Sequence, residues 1–213
     1  MLFRSGDFYW FTQKGGEVIL AAIDCTGHGV PGALMSVIGN SLLNQIVNMS
    51  NILDPGEILK HLDEKVLETL HHHGEGDTND GMDVSICSYD PSTNEIRFAG
   101  AKRSIYLIRA GKCQEIGGDK FPIGSFQYNF KKVFKTHTIS LKSEDTIYMF
   151  SDGYQDQFGS NGKKFMKKRF RELLIAIQEL SMKDQKARLE KEIDEWRGGT
   201  EQTDDVLVIG MRF

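Results

Sequence analysis

"AAIDCTGHGVPGALMSVIGN" (residues 21–40) decides how this chain is read. It contains G-x-G-x-x-G, with Gly27, Gly29 and Gly32 placed after an apolar run and before a helical pattern. That is the arrangement of a dinucleotide-binding turn, which also needs a second strand ending in an acidic residue about 20 positions on to hold the ribose. Asp54 lies near that distance, but "NMSNILDPGEIL" (48–59) reads as a helix end, a turn and another helix start. No strand delivers the carboxylate. G-K-[ST] is missing too, which excludes a P-loop. What remains is Asp24 at the C-terminal end of an apolar strand, running into a glycine-rich turn. A carboxylate at the end of a rigid element is well placed to fix a metal. The alternative is that it caps the turn.

Working outward, short runs rich in β-branched and aromatic residues predict strands at Phe8–Thr12, Val18–Asp24, Val84–Tyr89, Ile96–Ala99, Ser104–Ile108, Val133–Ile139, Thr146–Phe150 and Val206–Met211. "DPSTNE" (90–95) and "RAGK" (109–112) read as hairpin connections, so the middle of the chain is an antiparallel meander. Helical patterns cover 31–49, 55–72, 165–180 and 182–197. The second has Ile58, Leu59, Leu62, Val66, Leu67 and Leu70 on one stripe, with Asp54 as N-cap and Pro55 at its start. Two strands, two helices, a meander, two helices and a last strand do not alternate as a doubly wound sheet would. The order predicts an α+β layered fold.

The chain has 213 residues with 39% hydrophobic, enough for one sizeable core, and its 4 prolines form no linker, so 1–213 is read as a single domain. A formal net charge of −4 argues against a nucleic-acid surface. No apolar run is read as reaching the roughly 18–20 residues of a membrane span, so no membrane contact is expected of this segment. Cys25, Cys87 and Cys113 are odd in number and far apart, which argues against a disulfide framework and fits a reducing cytoplasm.

Other acids repeat the situation of Asp24. Asp7 stands in "RSGDFYWF" at the start of the first strand. Asp152 stands in "IYMFSDGYQD" after a very apolar strand, and Asp204 and Asp205 precede the last strand in "EQTDDVLVIGMRF". Each lies beside a Gly, Ser or Thr turn. Mg²⁺ and Mn²⁺ want such an oxygen-rich shell. Two of these ions about 3.5–4 Å apart activate water and clamp a transferring phosphoryl group. No C-x5-R nucleophile motif competes with that chemistry.

The series S-G-D-F-Y-W, D-x-T-G-H-G-V-P-G-A-L-M-S, D-G-M-D-V, A-G-A, P-I-G, S-D-G and D-D-V-L-V, running from Ser5 to Val208, resembles the SpoIIE-type branch of the metal-dependent, type 2C-like serine/threonine protein phosphatases. The resemblance implies an αββα four-layer sandwich, two antiparallel sheets flanked by helix pairs, with a binuclear Mn²⁺ or Mg²⁺ site. By motif, Asp7 matches the first metal-site aspartate, which holds water on the metal in the family. Asp24 matches the bridging aspartate and the Cys25 carbonyl its neighbouring ligand. Asp152 matches a ligand of the first metal, and Asp204, with Asp205 as fallback, the last ligand. His28 matches the position of a general acid, against the alternative of a solvent-facing turn histidine.

The sequence departs from the family in places. "FAGAKRSIYLI" (98–108) carries no histidine where N-A-G-H-N-P is common, Leu207 replaces a usual threonine, and Asp83 stands where an apolar residue is common. Asp83 is read as a solvated strand-start aspartate against the alternative of a third metal-site acid, "HHH" (71–73) as a solvated helix end rather than a metal tract, and "KKFMKKRF" (163–170) as a solvated face against the alternative of a dock for an acidic phosphoprotein. No arginine clamp is recognised, although Arg4 lies near Asp7. The family's first helix and strand precede S-G-D, so the resemblance implies a truncated N-terminal edge and self-association through it. It further implies a phosphorylated anti-sigma-factor antagonist as substrate and a sensor region upstream. The expected function is a phosphoserine/phosphothreonine protein phosphatase using two divalent cations. An inactive phosphoprotein-binding pseudophosphatase and a hydrolase of small phosphoesters are the alternatives.

Overall fold

The computed structural model describes residues 6–27, 29–71, 81–125 and 131–213. In chain order its elements are β1 (Phe8–Lys14), β2 (Glu17–Cys25), α1 (Val30–Leu43), α2 (Pro55–His71), β3 (Met82–Asp90), β4 (Glu95–Ala101), β5 (Ile105–Arg109), β6 (Lys112–Ile116), β7 (His137–Ser140), β8 (Thr146–Phe150), α3 (Gly153–Asp156), α4 (Lys167–Ala176), α5 (Met182–Arg197) and β9 (Val208–Arg212). They form two compact units. Met1–Ser104 with Gly117–Leu141 makes the first, and Ile105–Ile116 with Lys142–Phe213 makes the second.

The first unit holds a five-stranded sheet of order β1-β2-β3-β4-β7, antiparallel throughout. Side chains alternate across a strand, so Ile19, Ala21 and Ile23 of β2 share one face. Across the ladder, Ala21 faces Ile86 and Ile23 faces Val84. These five join Met35 and Leu43 of α1 and Ile58, Leu59, Leu62 and Val66 of α2 in one buried core. Four of the six residues of the α2 stripe thus lie in the core and Leu70 packs partly buried against it, while Leu67 stays outside. Asp54 accepts hydrogen bonds at Oδ1 from Gly56 N (3.0 Å) and Glu57 N (3.1 Å), which satisfies two amides at the start of the helix.

The second unit holds a four-stranded antiparallel sheet of order β6-β5-β8-β9. Its core is aromatic. Tyr106, Tyr148, Phe150, Tyr154, Phe165 and Phe170 pack with Leu173, Leu174, Ile177 and Leu189. The Phe170, Leu173, Leu174, Ile177 stripe is thus core. In the run 163–170, Lys163, Lys167 and Lys168 face solvent while Phe165 and Phe170 are buried.

Four details differ from the sequence reading. Strand β6 is polar and mostly exposed, so it lacks the apolar alternation that marks strands. The turn before it, with φ of 48° at Ala110 and 71° at Gly111, suits a two-residue hairpin. Of the run 133–139, only its end enters the sheet. Thr136 Oγ1 donates to Asp54 Oδ1 (2.8 Å) and Lys135 N donates to Asp119 Oδ2 (2.8 Å), so these residues bond outside the ladder. The short helix α3 was not foreseen. Finally, α1 continues through a π-helical stretch, Asn44–Met49. The resulting helix Val30–Met49 is, by length and composition, long and apolar enough to cross a membrane, contrary to expectation. Its Met35, Leu43, Ile46 and Val47 lie in the core of the first unit.

Candidate metal centre

In the first unit, S-G-D and D-x-T-G come together because the chain has room to do so. A Cβ at Gly6 would lie 2.9 Å from the Cys25 carbonyl oxygen, a distance real Cβ atoms essentially never show, so only glycine allows this approach. Ser36 Oγ on α1 donates to the Gly6 carbonyl (3.1 Å), tying the segment before Asp7 to the helix after the glycine turn. Thr26 fixes the other side. Its hydroxyl donates to Gly81 O (3.1 Å) and accepts from Gly81 N (2.7 Å), which joins D-x-T-G to the D-G-M-D segment. Burial pushes the Cys25 thiol up to about 12, and the charges of Asp24 and Asp7 push in the same direction. The thiol is therefore neutral near pH 7.

Asp24 and Asp83 stand directly opposite each other in the β2–β3 ladder. Two carboxylates so placed repel. Arg103, just beyond β4, resolves the repulsion. Its Nη2 donates to Asp24 Oδ2 and lies 3.3 Å from Asp83 Oδ2, while Lys102 Nζ lies 3.7 Å from the same Asp83 oxygen. The side chains of Asp83 and Arg103 are each 14% exposed and that of Asp24 is 19% exposed. Asp83 is therefore a half-buried, ion-paired residue, which corrects its reading as a solvated strand-start aspartate. Arg103 was missed altogether. The A-G-A-K-R sequence gave no sign of it, because its partners are set by strand register.

In the second unit, S-D-G and D-D are stitched together. Ser151 N donates to Leu207 O (3.0 Å), and Ser151 Oγ accepts from Leu207 N (3.1 Å) and donates to Asp205 O (3.3 Å). Asp152 precedes α3 and is half-buried; its carbonyl accepts from Gln155 N and Asp156 N, both at 2.9 Å. A Cβ at Gly153 would sit 1.8 Å from Asp205 O, so Gly153→Ala must displace the Asp204–Asp205 segment. We expect that substitution to cost roughly 1–3 kcal/mol, as overpacking does, measured by thermal melting. Unchanged melting would show that the segment yields freely. Asp204 is exposed, its Oδ1 accepting from Asp205 N (2.8 Å), and Asp205 is half-buried.

Other expected residues fall differently. His28, Arg4, His72 and His73 lie outside the described residues. Among the described residues, no three His, Cys, Asp or Glu side chains converge closely enough to hold a metal by themselves. The donor set still suits a hard cation. In the first unit it offers the carboxylate oxygens of Asp7 and Asp24 and the Cys25 carbonyl, oxygen donors of the kind such a cation takes.

Residues 14–213 match the family model described as Stage II sporulation protein E (SpoIIE). The chain belongs to the SpoIIE family. Asp24, Asp152, Asp204 and Asp205 fall within the matched residues, and Asp7 precedes them. Solved structures with this fold include the SiaA-PP2C domain of Pseudomonas aeruginosa, 27% identical with a TM-score of 0.89, covering 99% of this chain and 81% of that one. They also include the PP2C phosphatase domain with a regulatory fragment of SpoIIE from Bacillus subtilis, at 21% identity and a TM-score of 0.74. That match covers 99% of this chain and 57% of the Bacillus chain. RsbX in complex with magnesium, 13% identical with a TM-score of 0.63, covers 96% of this chain and 85% of its own. A search of curated protein sequences finds no match. Membership places the chain among PP2C-type serine phosphatases, and the two antiparallel sheets have the α+β class expected of that fold.

Proposed function

We propose that this SpoIIE-family chain is a metal-dependent phosphoserine/phosphothreonine protein phosphatase. The observation that supports it best is that the matched region carries Asp24 at the end of β2, Asp152 just after β8 and Asp204 and Asp205 ahead of β9, the positions to which the motif resemblance assigns ligands. In this reading Asp7, Asp24, the Cys25 carbonyl, Asp152 and Asp204, with Asp205 as the fallback, hold two divalent cations, Mn²⁺ or Mg²⁺. Bound there, such cations lower the pKa of water and offset charge on a phosphoryl group. The chain's own residues do the rest. Asp24 has its carboxylate held half-buried at the end of β2 by Arg103, so its position is set before a cation is bound. Ser151, through Leu207 and Asp205, fixes the approach of Asp152 to the acidic pair. His28 is assigned the proton that the leaving serine oxygen requires.

The substrate proposed is a phosphorylated protein of the anti-sigma-factor antagonist type, with a sensor region elsewhere in the longer protein. The Bacillus relative, described as a cell fate determinant and solved with part of a regulatory domain, supports this. The three free cysteines fit a reducing cytoplasm.

The test is phosphate release from a phosphoserine protein and from an activated aryl phosphate, with and without Mn²⁺, by the wild type and by His28→Gln. Both substrates should require Mn²⁺. A general acid contributes about 10²–10⁴-fold and matters most for a poor leaving group, so His28→Gln should slow the phosphoprotein far more than the aryl ester. Equal slowing makes His28 a structural residue. Hydrolysis of the aryl ester alone indicates a small-phosphoester hydrolase. Binding of phosphoprotein without turnover indicates a pseudophosphatase.

A further inference from the structure

We infer that Arg103 is a built-in placeholder cation. It holds Asp24 and Asp83 in position in the metal-free chain and yields Asp24 when a divalent cation arrives. The inference rests on the metal reading of Asp24 given above. Three observations carry it. First, Asp24 and Asp83 are cross-strand partners, a placement that raises the energy of both unless a positive charge lies between them. Second, the Arg103 guanidinium spans that pair, bonded to Asp24 Oδ2 and 3.3 Å from Asp83 Oδ2. Arg103 is thus positioned on the acid assigned to the metal, and Asp83 gives it a second anchor to retain when Asp24 is taken.

Third, the backbone is built to deliver it. Lys102 adopts a φ of 61°, in the left-handed region that non-glycine residues rarely enter. Lys102 N donates to Asp119 O (2.7 Å), and Lys102 forms a parallel bridge with Val84, one residue from Asp83. A Cβ at position 100 would fall 2.1 Å from the Arg103 carbonyl, so the turn is closed tightly on Gly100. An unfavourable backbone conformation persists where its surroundings determine it, and here it sets Arg103 against the two acids. Arg103 is a positioning residue in this account, acting through Asp24. Lys102, on the outer side of Asp83, adds a second positive charge to the same acid.

The experiment compares the wild type, Arg103→Gln and Arg103→Lys in two measurements: thermal melting without metal, and calorimetric titration with Mn²⁺. Loss of the cation should lower the metal-free melting midpoint. It should also tighten Mn²⁺ binding by about ten- to hundred-fold, because the ion no longer displaces a charge paired with Asp24. Arg103→Lys keeps the charge and should bind Mn²⁺ like the wild type. If Arg103→Gln does not fold, Asp83→Asn/Arg103→Gln, which removes the repulsion as well, should fold and bind more tightly than Asp83→Asn alone. Unchanged or weaker Mn²⁺ binding in the glutamine variants, beside a wild type that binds, overturns this inference and leaves the metal reading standing. A wild type that binds no Mn²⁺ overturns both.

Discussion

Asp24→Asn should lower hydrolysis of a phosphoserine protein by about 10³-fold or more at saturating wild-type Mn²⁺ concentrations. In the proposed reading Asp24 would serve both cations, so its loss would weaken both. Several kcal/mol of transition-state stabilisation disappear with them, and each 1.36 kcal/mol is worth about tenfold in rate. The fold should survive, for a definite reason. Asp24 stands opposite Asp83, so the asparagine removes a like-charge repulsion, and Arg103 keeps Asp83 as a partner. The check is therefore activity and thermal melting on the same preparation. A large loss of rate with a melting midpoint within about 2 °C of wild type is expected. Retained activity would take Asp24 out of the ligand set.

The largest effect on stability is expected outside the candidate ligand set, at Asp63. This residue on α2 is 6% exposed, and its Oδ1 accepts from Lys132 Nζ (2.7 Å) and from Gly124 N (2.7 Å). Lys132 is nearly as buried, at 7%. The pair pins the P-I-G segment to α2, since Lys132 Nζ also donates to the Pro122 carbonyl (3.1 Å). Asp63→Ala leaves an ammonium group buried without its carboxylate, which typically costs about 3–5 kcal/mol. For a chain of this size each kcal/mol shifts the melting midpoint by roughly 2–4 °C. Replacing both partners, as Asp63→Ala/Lys132→Met, should recover most of the loss, because no charge is then stranded. A single-mutant loss under about 1 kcal/mol in a denaturant titration would mean that the charges are solvated.

Much of the architecture was legible because it follows from periodicity. Most of the α2 stripe and the strands around Asp24 bury the residues that periodicity predicts, and the aromatic run at Thr146–Phe150 is wholly buried. Strand β6 was not legible, since an edge strand with polar residues has no burial to advertise. The candidate site divides similarly. Asp7, Asp24 and Asp152 stand out as acids beside glycine turns, and the turns prove to be places of close backbone approach at Gly6 and Gly153. Arg103 and Asp83 were hidden because their pairing depends on which residue of β2 faces which residue of β3. A one-residue shift of that register would turn Asp83 to the other face of the sheet. Between Asp204 and Asp205 the sequence offers only order in the chain. The structure adds that the backbone carbonyl of Asp205 is the one bonded to Ser151.

The central claim is that these acids serve metal-dependent phosphoester hydrolysis. Its most direct test is phosphate release from a phosphoserine protein by this chain, followed as Mn²⁺ is titrated into protein stripped of metal, with Asp24→Asn alongside. The account predicts no release without Mn²⁺, a rise that saturates with the binding isotherm measured by calorimetry, and a flat response from Asp24→Asn. Release that is independent of Mn²⁺, or full Mn²⁺ binding with no release from any phosphoserine or aryl phosphate substrate, would contradict it.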